Sequence, residues 1–258
     1  MAEPEAYQSS VNPAPPFGRP TILMSASQSW KPLPSDCGVT VVIPTKNEEG
    51  AIADIIDAVR PYANEILVID GHSTDRTREI AAAKNARVLL DARRGKGEAL
   101  RRSFSAASHE ILVFIDADGS HDPQDIPKLL APIRRNEAEM VIGSRTRGGS
   151  DELHGTAEQL LRYVGSQLIM LAINYRFHVR LTDSQNGFRA IRKDVALALG
   201  AKANLTTIEQ EMLMRALKRG CRVVEVPTHE FERKSGISKV SVWRLWLAYL
   251  WSLVRNIV

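Results

Sequence analysis

Cysteine is scarce in this chain: Cys37 and Cys221 are the only two among 258 residues. That excludes a disulfide framework and makes a reducing compartment the expectation. A cleavable leader is not legible, because Met1 opens an acidic, Pro-bearing stretch without a basic start and an apolar core. Long apolar runs are also missing. The most hydrophobic helical pattern, residues 240 to 257, has an uninterrupted apolar part only about 15 Å long as a helix, half of the roughly 30 Å needed to span a bilayer. Aromatic residues make up 6% of the chain. They do not stud a basic groove, so nucleic acid is not an expected partner.

What remains is ordinary soluble-protein composition, 44% hydrophobic and 25% charged. The length allows one large domain or two small ones. The net charge of +4 is placed unevenly, since residues 215 to 258 hold nine Lys/Arg against three Asp/Glu. A basic C-terminal region points to an anionic partner (membrane surface, phosphate or nucleic acid) or to a solvated face. Residues 1–37 carry seven of the thirteen prolines and no sustained periodicity, and read as a disordered or loosely docked extension.

From residue 38 the pattern alternates. Strands are expected at 39–43, 65–69, 86–90, 111–115, 139–143 and 222–226, with helices of 10–15 residues between the early ones. That alternation means a mainly parallel sheet built from βαβ units. Ile111-Leu112-Val113-Phe114-Ile115 is the most telling strand. Its unbroken apolar run reads as buried on both faces, and it runs straight into Asp116-Ala117-Asp118-Gly119. Ligands in open α/β sheets bind beyond the carboxyl ends of strands. Two acids there repel unless a cation lies between them, which suggests a divalent-metal site holding a phosphorylated ligand. The bland alternative is a polar turn.

Glu48 and Asp70 follow other strands, so four carboxylates are expected to converge on one edge. Asn47 reads as a helix cap. Arg93, Arg94 and Lys96, with Gly95 and Gly97, open a helix and read as an anion cradle or as a solvated basic turn. Residues 182–189 read as a polar loop and 231–239 as a basic loop. The last helix, 240–258, joins Trp243, Trp246, Leu247, Leu250, Leu253 and Val254 with Arg244 and Arg255. It suits a membrane interface, or an amphipathic helix packed on its own domain or on a second subunit.

Six stretches in order then carry a resemblance. They are Val41-Val42-Ile43-Pro44-Thr45-Lys46-Asn47-Glu48-Glu49, Val68-Ile69-Asp70-Gly71-His72-Ser73-Thr74-Asp75-Arg76-Thr77, Ile115-Asp116-Ala117-Asp118, Ile142-Gly143-Ser144-Arg145, Asp183-Ser184-Gln185-Asn186-Gly187-Phe188-Arg189 and Arg233-Lys234-Ser235-Gly236-Ile237-Ser238-Lys239. The chain resembles family 2 glycosyltransferases of the GT-A fold. The last two stretches resemble the branch of dolichyl-phosphate mannose synthases and other polyprenyl-phosphate glycosyltransferases.

The resemblance implies a Rossmann-like, mixed, mainly parallel sheet over residues 38–239. It implies an inverting, metal-dependent transfer of a sugar from a nucleotide-diphosphate sugar to a polyprenyl phosphate at the cytoplasmic membrane face, with an oligomer or membrane-subunit partner in reserve. Pro44, Thr45, Asn47, Glu48, Asp70, Lys96, Asp116 and Ala117 would meet the nucleotide. Asp116 and Asp118 would hold Mg²⁺ or Mn²⁺. Arg145, Arg162, Arg233 and Lys239 would face the acceptor phosphate, with Asp118, Arg145 and Arg233 closest to the reaction. Two departures stand out: Gly71 replaces a second Asp, and Ser120 replaces a Gln.

A phosphate acceptor is already anionic and needs no strong base. A hydroxyl acceptor would need one, and Glu209 or Glu211 would be the candidates. A third reading is a subunit that keeps the fold and binds nucleotide sugar without turnover.

Overall fold

The computed structural model describes residues 30–34, 36–151, 157–232 and 242–257. Side chains of 157–159, 161, 162 and 242–245 are not among those described.

The strands are β1 (Val39–Thr45), β2 (Glu65–Asp70), β3 (Arg87–Leu90), β4 (Ile111–Phe114), β5 (Met140–Ser144), β6 (Arg189–Arg192) and β7 (Val223–Pro227). They form one sheet in the order β3-β2-β1-β4-β6-β5-β7. All pairings are parallel except those of β6, which runs antiparallel to both β4 and β5. The expected mixed, mainly parallel sheet is therefore present. β4 is buried at every position, as its unbroken apolar run requires. Burying each such side chain contributes roughly 1.5–3 kcal/mol.

Helices cover both faces. α1 (Ile52–Val59) and α4 (Ile126–Arg134) lie on one face, and Ile52, Ile55, Ile56 and Val59 bury at the helical period. α2 (Thr77–Ala83) packs beside α1. The other face carries α3 (Lys96–Ala106), α6 (Ala157–Phe177), α7 (Lys193–Ala198), α8 (Ile208–Lys218) and α9 (Val242–Ile257) around Phe104, Phe114, Ile173, Met212 and Leu213. A four-residue helix, α5 (Arg145–Gly148), follows β5 directly.

β6 falls where a polar loop was expected to end. Two arginines bracket a strand of only four residues, so no apolar run announces it. Both are buried nonetheless. Arg192 pairs with Asp194 at 2.7 Å, and Arg189 donates to backbone carbonyls, Glu209 O at 2.8 Å among them. Pro44 also departs from expectation, since β1 continues through it to Thr45. The N-terminal extension is docked where it is described: Trp30 and Leu33 pack on the two cores and Cys37 is buried. The basic loop falls outside the described residues except for Phe231 and Glu232.

The topology fixes the site. From β1 the chain steps outward through β2 to β3, then returns to β4 on the other side of β1. Such a reversal opens a crevice at the carboxyl edge. The register aligns Thr45 with Asp70 and Asp70 with Leu90, so the loops after β1, β2 and β3 leave the sheet together.

Candidate active site

A cavity of about 830 Å³ opens at that edge. Its floor is the ends of β1 and β2, with Pro44, Thr45 and Ile69. Asp116, Ala117 and Asp118 enter from the loop after β4. Arg93, Arg94, Gly95 and Lys96 form the wall at the start of α3, and Leu205 and Thr206 close the rim from the segment before α8. Acids and cations thus face each other across one space. Asn47, His72 and Arg93 take positive φ of 57°, 61° and 58°. Non-glycine residues rarely adopt that conformation, and such strain concentrates where loops are held for function. Here His72 Nε2 pairs with the Asp91 carbonyl at 2.9 Å, and the Arg93 N–H donates to Asp91 Oδ1 at 2.8 Å.

Asp116 is held by a lysine and a histidine. Lys96 Nζ lies 2.6 Å from Oδ1 and 2.9 Å from Oδ2, and His121 Nε2 lies 3.7 Å from Oδ2. Burial acts to raise the carboxyl's pKa, but Lys96 and His121 hold it well below the usual carboxylate range. Burial likewise opposes the Lys96 charge, and Asp116 with Glu209 pushes the ammonium above the usual lysine range. Asp118 accepts from the Ser120 hydroxyl at 2.7 Å and from its N–H at 3.1 Å. Ser120 therefore positions Asp118. His121 is buried and stacks on Phe188 with 5.1 Å between ring centroids.

Among the described residues, no three His, Cys, Asp or Glu side chains are arranged as a metal cluster. Asp116 and Asp118 still suit a hard cation. Mg²⁺ and its like are commonly held by one or two carboxylates, with water and substrate phosphate oxygens completing the shell.

Several expected residues take other places. Asp70 was to reach the nucleotide, but its carboxylate is fully buried and off the cavity surface. It accepts from the Ser73 N–H at 2.8 Å and lies 3.7 Å from Arg78 Nε, so it shapes the loop after β2. Asn47 does not cap α1, whose N-cap position is Ala51. Its N–H donates to Ser73 Oγ and its Oδ1 accepts from the Thr74 N–H at 2.8 Å, stitching two loops together. The anion cradle is open only in part, because the Gly97 N–H is given to the Asn204 carbonyl at 2.8 Å. The cations Arg93, Arg94 and Lys96 do line the cavity.

Arg145 is held in a fork by Asp183, at 2.7 Å from Nε and 3.1 Å from Nη2, with Glu230 at 3.2 Å. Unlike Lys96, it does not line the cavity, and its two carboxylates make it a clamp between the start of α5 and the segments at 183 and 230. Arg162 lies in α6, but its side chain is not among those described. Arg233 and Lys239 lie outside the described residues.

The two candidate bases separate clearly. Glu211 is consumed by the Lys202 and Ala203 N–H groups and by Arg215 at 2.7 Å. Glu209 is 2% exposed, meets Lys96 at 3.1 Å through Oε1, and leaves Oε2 buried without a hydrogen-bond partner. Neither lines the cavity. His72, Asp91, His121 and Leu205 escaped the sequence reading. A histidine soon after each strand-end acid was the available signal for His72 and His121. Nothing local marks Leu205, which arrives from a distant segment.

On the outer face, α9 packs against α6 and α8. Gly165 makes the close approach, since a Cβ there would meet the Trp246 ring at 2.0 Å. Leu160, Val164, Leu168, Leu171 and Tyr175 remain exposed along α6, and Leu247, Leu250, Trp251 and Val254 along α9. No helix among the described residues is long and apolar enough to cross a membrane.

The profile of Glycosyl transferase family 2 matches residues 40–200. The undecaprenyl-phosphate mannosyltransferase of Micrococcus luteus is 34% identical over 220 residues, covering 79% of this chain and 87% of that protein. The dolichol-phosphate mannosyltransferase of Pyrococcus furiosus is 32% identical over 214 residues, covering 78% and 59%. The low-salt glycan biosynthesis hexosyltransferase Agl6 of Haloferax volcanii is 30% identical over 80% of this chain, which spans about half (49%) of that protein's length. Among solved structures, glucosyl-3-phosphoglycerate synthase from Mycobacterium tuberculosis with Mn²⁺, uridine diphosphate and phosphoglyceric acid matches with a TM-score of 0.66. The match is 23% identical and covers 86% of this chain and 79% of that one. This likeness establishes the GT-A fold.

Proposed function

The chain belongs to glycosyltransferase family 2, and we propose that it transfers a sugar from a nucleotide-diphosphate sugar to a polyprenyl phosphate at a membrane surface. The observation that carries this reading is the junction between the cavity and the apolar helix pair. Tyr249 of α9 donates its hydroxyl to the carbonyl of Thr206, on the cavity rim, at 2.9 Å. The same two helices carry the exposed stripes, and from Leu160 to Tyr175 the α6 stripe runs about 22 Å. Aliphatic and aromatic side chains beside a basic C-terminal region fit an anionic lipid surface. A lipid-linked acceptor would then present its phosphate to the cavity from that side. Relatives named for undecaprenyl and dolichol phosphate support the same acceptor.

The chemistry follows from charge. An acceptor phosphate oxygen attacks the anomeric carbon as the bond to the diphosphate oxygen breaks, giving a glycosyl phosphate lipid and a nucleoside diphosphate with inversion. The nucleophile is already anionic, so removal of Glu209 and Glu211 from the cavity surface costs this reaction nothing. Arg93, Arg94 and Lys96 draw the diphosphate to one wall, and positioning two anions in line is the main demand on the protein. Asp116 and Asp118 would hold the Mg²⁺ or Mn²⁺, which when bound neutralises the leaving diphosphate.

The test is a panel of radiolabelled nucleotide sugars with polyprenyl phosphate and a divalent metal. Label entering the organic phase with one donor supports the reading. Label confined to the aqueous phase with every donor refutes it.

A further inference from the structure

The ammonium of Lys96 holds both oxygens of Asp116, at 2.6 and 2.9 Å, and reaches Glu209 Oε1 at 3.1 Å. This is the carboxylate that the metal-dependent reading requires. Because the ammonium holds both oxygens, a divalent ion that coordinates Asp116 must displace at least one of these contacts, and the two cations repel at a few ångströms in a partly buried site. The backbone beneath Lys96 is fixed. A Cβ on Gly97 would lie 2.4 Å from the Ala203 carbonyl oxygen, and the Gly97 N–H is bonded to Asn204. The start of α3 is therefore pinned to the 203–205 segment, and the long Lys96 side chain is the part best able to move. Gly187 closes the other side, where a Cβ would lie 2.8 Å from Asp116 Oδ2 and 3.0 Å from Lys96 Nζ. A second anchor is ready, because Glu209 keeps Oε2 buried with no hydrogen-bond partner.

We propose that Lys96 is a resident counter-cation that competes with the divalent metal for Asp116, and that a bound nucleoside diphosphate releases it. The diphosphate gives the ammonium a new anion beside Glu209, and Asp116 is freed. Metal and nucleotide then bind cooperatively through one side chain, and the enzyme takes up metal mainly together with its donor. The inference rests on the metal-dependent reading above and makes Lys96 a positioning residue for the metal ligand.

Mn²⁺ binding to the full chain, followed by electron paramagnetic resonance of free Mn²⁺ with and without UDP or GDP, tests it apart from activity. Lys96→Met is expected to bind Mn²⁺ alone about tenfold more tightly than wild type, within the usual range of coupling between sites. Its further tightening by nucleoside diphosphate should fall well below that of wild type. Arg94→Met, which removes a charge from the same cavity wall, should change the affinity for Mn²⁺ alone less than about twofold, as a charge in high dielectric does. Glu209→Gln leaves the ammonium more dependent on Asp116 and should weaken Mn²⁺ binding. It decides the matter if Lys96→Met does not fold by circular dichroism.

Unchanged or weaker Mn²⁺ binding in folded Lys96→Met, an Arg94→Met effect equal to that of Lys96→Met, or unchanged or tighter binding in Glu209→Gln overturns the proposal. If wild type binds no Mn²⁺ even with nucleoside diphosphate, the metal-dependent reading itself falls and takes this inference with it. Metal binding that is normal in wild type but insensitive to Lys96 removes only the inference.

Discussion

Tyr249 and Thr206 are joined by a hydrogen bond of 2.9 Å from the C-terminal helix to the rim of the cavity. The hydroxyl is buried, and burial together with nearby Glu209 pushes its pKa up to about 12, so it stays a proton donor at any physiological pH. Tyr249→Phe should cost about 1 kcal/mol of stability, the usual net worth of one such bond. Steady-state kinetics should show the KM for the lipid acceptor rising several-fold while that for the donor stays within about twofold, because Arg93, Arg94, Asp116 and Asp118 come from segments other than that of Thr206, which contributes only to the rim.

The exposed stripes make a separable prediction. Leu168, Leu250 and Trp251 have little to lose in the fold, Trp251 being 67% exposed. The combined substitution Leu168→Glu, Leu250→Glu and Trp251→Glu should move stability by only about 0.5 kcal/mol per site. Flotation with anionic vesicles should show the wild-type chain bound and the variant free. Equal binding of both would remove the membrane-surface role from α6 and α9.

Arg145 tests the difference between a clamp and a phosphate ligand. It satisfies Asp183 and Glu230 at once, and its loss would leave buried carboxylates without their cation. Breaking one side of such a pair typically destabilises by about 3–5 kcal/mol. Arg145→Met should therefore lower the urea midpoint strongly. A variant that kept wild-type stability but lost transfer would restore the phosphate-binding role expected from the sequence.

The same pair sets an acid limit. Burial acts to raise the pKa of Asp183, but Arg145 outweighs it and holds the carboxyl below its ordinary value. A depressed carboxylate contributes stability that is complete above its unfolded pKa of about 3.9 and is lost as pH falls through the folded value. Denaturation curves should be flat from neutral pH down to about pH 4 on this account and fall below it. Asp183→Asn should be less stable at pH 7 and show a shallower acid limb.

Much of this was legible beforehand because the informative signals were local. The apolar run into Asp116 and Asp118 fixed both a buried strand and the edge where it ends. Ile52, Ile55, Ile56 and Val59 announced their helix by spacing alone. The failures came where tertiary contacts decide. Asp70 looks like a ligand in sequence, yet Ser73 and Arg78 turn it inward. Arg189 and Arg192 mask a strand because carbonyls and Asp194 satisfy them inside the protein. Glu211 looks like a base until the Lys202 and Ala203 amides and Arg215 are seen around it. Leu205 and Thr206 reach the cavity only through folding of a distant segment.

The central claim is that the acceptor is a lipid phosphate and that no protein base is needed. The most direct measurement offers the enzyme its cognate labelled donor with polyprenyl phosphate in one reaction and the matching polyprenol in another, both with Mn²⁺. The account predicts a labelled, acid-labile glycosyl phosphate lipid from the first and no transfer to the second. Transfer to the alcohol, with none to the phosphate, would contradict it.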